Sequence, residues 1–100
     1  MKDSYEFEKI CKNLIIKYVN EHFEITDNIK PITIENVYVV WMCKTLQNSK
    51  ALLSTTVPDG RYYEITYNGD KDEIYLDVYT KVQNIKVPSS EFQRDVVIER

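Results

Sequence analysis

Glycine occurs only twice and proline only three times in these 100 residues. So few breakers exclude a linker-rich or disordered chain. Histidine occurs once, as His22. A catalytic triad needs a base placed beside a nucleophile, and a histidine metal site needs further ligands. A single histidine at the end of a predicted helix reads as a partly exposed surface contact. Cysteine occurs twice, as Cys11 and Cys43, with no CxxC or other metal spacing. Both read as free buried thiols that behave as small hydrophobes. A disulfide between them stays open, because spacing does not test its geometry. No block of basic residues occurs, which argues against strong non-specific phosphate binding. The net charge of −3 is too small for a nucleic-acid mimic. The start, Met1-Lys2-Asp3-Ser4, is polar and leads into an amphipathic pattern. Neither a signal peptide nor a membrane span is expected, and a cytoplasmic location follows.

What is present is a balanced chain, 43% apolar and 29% charged, of the size of one domain. We expect a single α+β domain over 1–88, with 89–100 as a C-terminal tail or short helix. Its stability should lie near ~5–10 kcal/mol.

Asp3 and Glu6 have the form of a capping box. Phe7, Ile10, Cys11, Leu14, Ile15, Tyr18 and His22 then recur at helical spacing, opposite Lys9, Lys12, Asn13 and Lys17. This predicts a helix over 4–22 with one apolar stripe, suited to cover a sheet. Residues 23–30 read as a connector before Pro31. Thr33-Ile34-Glu35-Asn36 fits one helical turn capped by Thr33, or the start of the first strand. The capping pattern favours the turn.

The organising stretch is Val37 to Leu46, rich in β-branched and aromatic residues, and its return, Ala51 to Thr56. A two-residue loop at Asn48-Ser49 would set Cys43 opposite Ser54 and Trp41 opposite Thr56. Val57-Pro58-Asp59-Gly60 reads as a turn. A third strand runs over 61–67. Asn68-Gly69 is a strong hairpin dipeptide, although the polar Asp70-Lys71-Asp72 allows a wider loop. A fourth strand runs over 73–82, and 85–87 suits a short edge segment. The fold expected is an N-terminal helix packed on one face of a four-stranded antiparallel meander.

Side chains alternate between sheet faces. In this register the core face collects Val37, Val39, Trp41, Cys43, Leu52, Ser54, Tyr63, Ile65, Ile74, Leu76 and Val78. The other face collects Tyr38, Val40, Met42, Lys44, Leu53, Thr55, Tyr62, Glu64, Thr66, Tyr75, Asp77, Tyr79 and Lys81. Tyrosine is enriched at interfaces, since it offers large area, few rotamers and a hydroxyl. It is also a good residue on any solvated strand. The candidate interaction face is Tyr38, Met42, Lys44, Leu53, Tyr62, Glu64, Tyr75, Asp77 and Tyr79. A one-residue slip would exchange the two faces.

No catalytic constellation is visible. Glu64 and Asp77 should lie close together, as acid–base pairs do, but they read better as a solvated charge pattern. Gly60 and Gly69 serve turns, and no phosphate-cradling loop occurs. Lys44, Lys50, Arg61 and Lys71, gathered near the tyrosines, would suit single-stranded nucleic acid. The acidic neighbours Glu64, Asp70, Asp72, Glu73 and Asp77 weaken that reading.

The run Val37-Tyr38-Val39-Val40-Trp41-Met42-Cys43-Lys44-Thr45-Leu46-Gln47-Asn48 carries a resemblance, continued in Lys50 to Thr56, Pro58-Asp59-Gly60, Tyr62-Tyr63-Glu64, Tyr67 to Lys71 and Ile74 to Asp77. Over about 5–88 the chain resembles a family of small bacteriophage and prophage proteins of Firmicutes, known only as a domain of unknown function. The resemblance implies an accessory phage role in the bacterial cytoplasm, and brings no activity or catalytic residue. The expectation is therefore a non-enzymatic protein without cofactor or metal. It would bind a host, defence or phage protein through the tyrosine-rich face. A second copy of the chain, through that face or an edge strand, is a further expected partner. Single-stranded nucleic acid is the alternative.

Overall fold

The structure, a computed structural model, describes residues 3–22 and 30–91. Helix α1 spans Ser4–His22. It starts where predicted, because the Asp3 carboxylate accepts the Glu6 N–H at 2.8 Å. That bond satisfies one of the donors a helix start leaves unpaired. The side chains fully buried are Phe7, Cys11, Ile15 and Val19, an i, i+4 line, with Leu14, Ile16 and Tyr18 partly buried beside it. Val19 thus joins the expected stripe, while His22 lies outside it and is exposed.

Asn20 anchors the chain where it returns. Its side-chain amide donates to the Ile32 carbonyl at 3.1 Å and accepts the Ile32 N–H at 2.9 Å. A 3-10 turn follows at Ile34–Asn36. The Thr33 N–H donates to Asn36 Oδ1 at 2.9 Å, and the Asn36 N–H to the Thr33 carbonyl at 2.9 Å. The helical-turn reading of 33–36 is therefore the one realised.

The sheet comprises β1 (Val37–Thr45), β2 (Asn48–Thr55), β3 (Arg61–Asn68) and β4 (Glu73–Thr80), antiparallel in the order β1-β2-β3-β4. The α+β meander is as expected, with β4 ending at Thr80 rather than 82. Residues 81–88 form no strand, so the edge segment over 85–87 is absent. The expected tail beyond Glu91 lies outside the described residues, as does the connector over 23–29.

The first hairpin departs from expectation. Its loop is Leu46–Gln47, so Cys43 pairs with Lys50 and Trp41 with Leu52. Leu46 takes φ 56°, a left-handed value uncommon for a branched side chain. In addition, the register shifts between Val39 and Trp41, leaving Val40 as an extra residue in β1. Such a bulge turns the following residues over to the opposite face.

Behind α1 the core consists of Val37, Ala51, Leu53, Tyr63, Ile65 and Tyr67, with Met42 and Val39 packed against it. Burying a side chain of this size contributes about 1.5–3 kcal/mol. The Tyr63 ring meets Tyr18 edge-on at 6.0 Å. The two sheet ends are tied by turns. Gly60 closes the 56–60 turn with φ 69°. At the other end the β3–β4 loop is the wider one, 69–72, and its left-handed residue is Asp72 rather than Gly69. Asn68 Oδ1 accepts the N–H groups of Asp70 and Lys71 at 3.1 and 3.3 Å.

Gly69 has a different task. Its N–H donates to Asn48 Oδ1 at 3.1 Å, locking this loop against the β1–β2 loop. A Cβ here would stand 2.1 Å from the Gln47 carbonyl oxygen. Gly69→Ala should therefore force the two loops apart and cost about 1–3 kcal/mol. Urea denaturation would check this; an unchanged midpoint would mean that the loops are not in contact in solution.

Candidate interaction face

The outer face of the sheet, opposite α1, is organised in rows across all four strands. The first row is Tyr38, Ser54, Tyr62 and Tyr79. The second is Trp41, Leu52, Glu64 and Asp77, and the third is Cys43, Lys50, Thr66 and Tyr75. Tyr38, Trp41, Tyr75 and Tyr79 are 42–50% exposed. Tyr62 is half-buried, and Ser54 between the tyrosines is buried, its hydroxyl donating to the Arg61 carbonyl at 2.8 Å.

Six of the nine expected face residues are brought together here: Tyr38, Tyr62, Glu64, Tyr75, Asp77 and Tyr79. Three are not. Leu53 is fully buried under α1, Met42 packs against the core, and Lys44 shares Met42's side of β1. Trp41 and Cys43, assigned to the core by simple alternation, instead join the outer face. Leu52 and Ser54 move outward with them, and Thr55 inward. Two features cause this: the Val40 bulge turns Trp41 and Cys43 outward, and the odd, five-residue connection 56–60 sets Leu53 rather than Ser54 opposite Tyr63. Neither is marked in the sequence: Val39-Val40 reads as ordinary strand, and Val57-Pro58-Asp59-Gly60 reads as an even-length turn.

The polar groups of this face restrain one another. Glu64 stands directly opposite Asp77, a repulsive placement for like charges. Lys50 offsets it, with Nζ 3.5 Å from Glu64 Oε1. The Tyr79 hydroxyl donates to the same oxygen at 3.3 Å. The Tyr75 hydroxyl donates to Glu73. Both phenols ionise above their ordinary range: the Glu64 charge is the main cause at Tyr79, and the hydrogen bond to Glu73 at Tyr75. They are therefore neutral donors at any physiological pH.

At the β1–β2 turn the face sinks into a groove of about 440 Å³ between Trp41, Cys43, Thr45, Lys50, Thr66 and Asn68. The four cations do not gather around it. Lys50 is paired, Lys44 lies on the helix side, Arg61 opens β3 and Lys71 lies beyond its other end. About 3.3 Å per residue along β3 keeps those last two well separated. Arg61 instead approaches Asp59 at 4.0 Å.

Glu64 and Asp77 are close, as expected, yet neither lines the groove. Among the described residues no three His, Cys, Asp or Glu side chains converge as metal ligands. No helix among them is long and apolar enough to cross a membrane. His22 stacks on the Tyr18 ring at 4.0 Å, and its Nδ1–H donates to the Tyr18 carbonyl at 2.8 Å. It thus serves the helix C-terminus, where unpaired carbonyls favour such donors.

The comparisons with known proteins bear on the whole unit of helix and sheet. A family model described as "Family of unknown function (DUF6275)" matches residues 8–89. The chain belongs to that family. No curated protein and no solved structure matches it. The DUF6275 match spans most of α1, the complete sheet and the outer-face rows, so the face is part of what the family model describes.

The two thiols differ. Both are free, but Cys43 is exposed rather than buried, because the bulge turns it outward. Cys11 is buried, and burial with the nearby Glu8 carboxylate pushes its thiol from 9.0 up to about 12. A folded group that holds its proton to higher pH is stabilising below its unfolded value. Native stability contributed by Cys11 should thus be constant below pH 9 and fall between 9 and 12. At pH 8 a thiol-reactive dye should label Cys43 alone, with Cys11 reacting only after unfolding. Equal labelling of both in the native protein would contradict the burial of Cys11.

Proposed function

We propose that the chain is a non-enzymatic interaction module that engages a protein partner through the outer face of its sheet. The observation that supports this most is the aromatic set Tyr38, Trp41, Tyr62, Tyr75 and Tyr79 on one face, four of them 42–50% exposed. Tyrosine and tryptophan dominate the energetics of protein interfaces when desolvated by a partner. The resemblance to phage and prophage proteins adds a setting, an accessory role inside a bacterial cell in which a host or defence protein is occupied.

The single-strand reading retains one supporting observation: Trp41 and Lys50 line the same groove, an aromatic plane beside a cation. Lys50 is already paired to Glu64, and Glu73 and Asp77 stand on the same face. Those carboxylates oppose a phosphate backbone, so the protein-partner reading is preferred.

Trp41→Ala and Tyr79→Ala separate the readings. Both side chains are about half exposed, so each variant should melt within a few degrees of the parent. Each should lose a captured bacterial protein partner by about tenfold or more, the size of a hot-spot loss of 1.4 kcal/mol or greater. Undiminished capture by both variants would remove the outer face from the proposal. Trp41 fluorescence quenched by a single-stranded oligonucleotide, and restored by salt, would favour the alternative.

A further inference from the structure

A meander has two edges, and here they are not alike. β1 is broken by its bulge and carries Lys44, two devices that discourage a further strand from pairing. β4 has neither a bulge nor a proline nor a lysine over its eight residues, Glu73 to Thr80. Among the described residues nothing pairs with its outer side.

The free hydrogen-bonding groups of that side can be identified. The Lys81 N–H donates to the Gly60 carbonyl at 2.6 Å, in step with the β3–β4 register. In an antiparallel ladder bonded pairs alternate with non-bonded ones. Tyr79, Asp77, Tyr75 and Glu73 therefore bond to β3. The N–H and C=O groups of Ile74, Leu76 and Val78 are left facing the open edge. The side chains of the same three residues lie on the helix side of the sheet. Ile74 and Val78 are 38% and 37% exposed, and Leu76 is partly buried. An apolar strip and an unsatisfied backbone edge thus coincide.

We propose that this edge pairs with the same edge of a second copy of the chain, antiparallel, about a two-fold axis passing through Leu76. A two-fold between antiparallel edge strands stands perpendicular to the sheet, so each residue meets one from the same face. The charges select the register. An axis at Asp77 would set Asp77 against Asp77, and an axis at Tyr75 would set Glu73 against Asp77. An axis at Val78 would push Ile74 against Val82, beyond the end of the strand. The axis at Leu76 keeps residues 73–79 paired within the strand. On the outer face it sets Tyr75 opposite the second copy's Asp77 and Glu73 opposite its Tyr79, phenol to carboxylate. On the helix face it sets Ile74 opposite Val78 and Leu76 opposite Leu76. The result is one eight-stranded sheet with both aromatic faces on the same side.

Sedimentation equilibrium of the full chain should give twice 11.9 kDa at tens of micromolar or above. Hydrogen exchange should show the amides of Ile74, Leu76 and Val78 protected in step with dimer formation. Ile74→Lys combined with Val78→Lys should return the mass to the monomer, while Trp41→Ala should leave the dimer intact. A wild-type chain that stays monomeric throughout would overturn the proposal. So would a dimer dissolved by Trp41→Ala but not by the two lysines. Protection of these three amides in a monomer would overturn it as well, because another part of the chain would then hold the edge. The exchange measurement is made on the wild type, so it decides even if the lysine variant does not fold.

Discussion

One extra residue in β1, Val40, decides what that strand presents on each side of the sheet. Before it, Val37 and Val39 point at α1; after it, Met42 does. Without the bulge the alternation would drive Trp41 and Cys43 into the space under the helix and turn Met42 outward. The core there is filled by Cys11, Ile15 and Ala51, all fully buried. A close-packed interior has no volume for an additional indole, and overpacking is as unfavourable as a cavity. The bulge therefore reconciles a strand whose aromatic residue falls in the inward phase with a core that has no room for it. The outer face gains its largest aromatic as a direct result.

The helix sets the second constraint. It runs chiefly over β1 and β2, and its Tyr18 reaches as far as Tyr63 on β3. A single helix is about 10 Å across, roughly the span of two strand spacings. It cannot shelter four strands, and the burial pattern records this. β3 alternates cleanly, whereas on β4 only Leu76 is even partly buried. The asymmetry is thus a matter of dimensions. Among the described residues it leaves β4 as the strand with both a free edge and half-exposed aliphatic side chains.

Much of the architecture was legible from pattern. The capping pair Asp3 and Glu6, the four-residue apolar spacing, the Pro58-Asp59-Gly60 turn and the β-branched strands act locally, and each appears near where the sequence puts it. The two faces of β3 and β4 followed correctly from alternation, so Tyr62, Glu64, Tyr75, Asp77 and Tyr79 were readable as a group. The register of the first hairpin was not. Asn48 and Ser49 have the composition of a turn, but Asn48 spends its side chain on the Gly69 N–H, a contact between two loops 21 residues apart. The actual turn falls on Leu46, which takes a left-handed conformation that its residue type disfavours. Long-range contact overrode local preference there, and single-sequence patterning contains no trace of it. Met42, Leu53 and Lys44 were misplaced for other reasons: the Val40 bulge and the odd-length 56–60 connection both break an even alternation.

The outer face is also more ordered than a solvated sheet needs to be. Glu64 and Asp77 oppose each other, a pairing that by itself destabilises. Lys50 and the Tyr79 hydroxyl converge on Glu64, and the Tyr75 hydroxyl on Glu73. A tyrosine whose hydroxyl is tied in this way has already given up much of its rotamer freedom. A surface that orders few side chains on contact loses less of its gross interaction energy to entropy. Two of the carboxylates that weigh against a nucleic-acid ligand, Glu64 and Glu73, thus also hold phenol rings in place. On the proposed reading, that coupling favours a protein partner over a nucleic acid. The favourable contact would come from rings that are already positioned, with Glu64 and Glu73 satisfied from within the sheet rather than by the ligand.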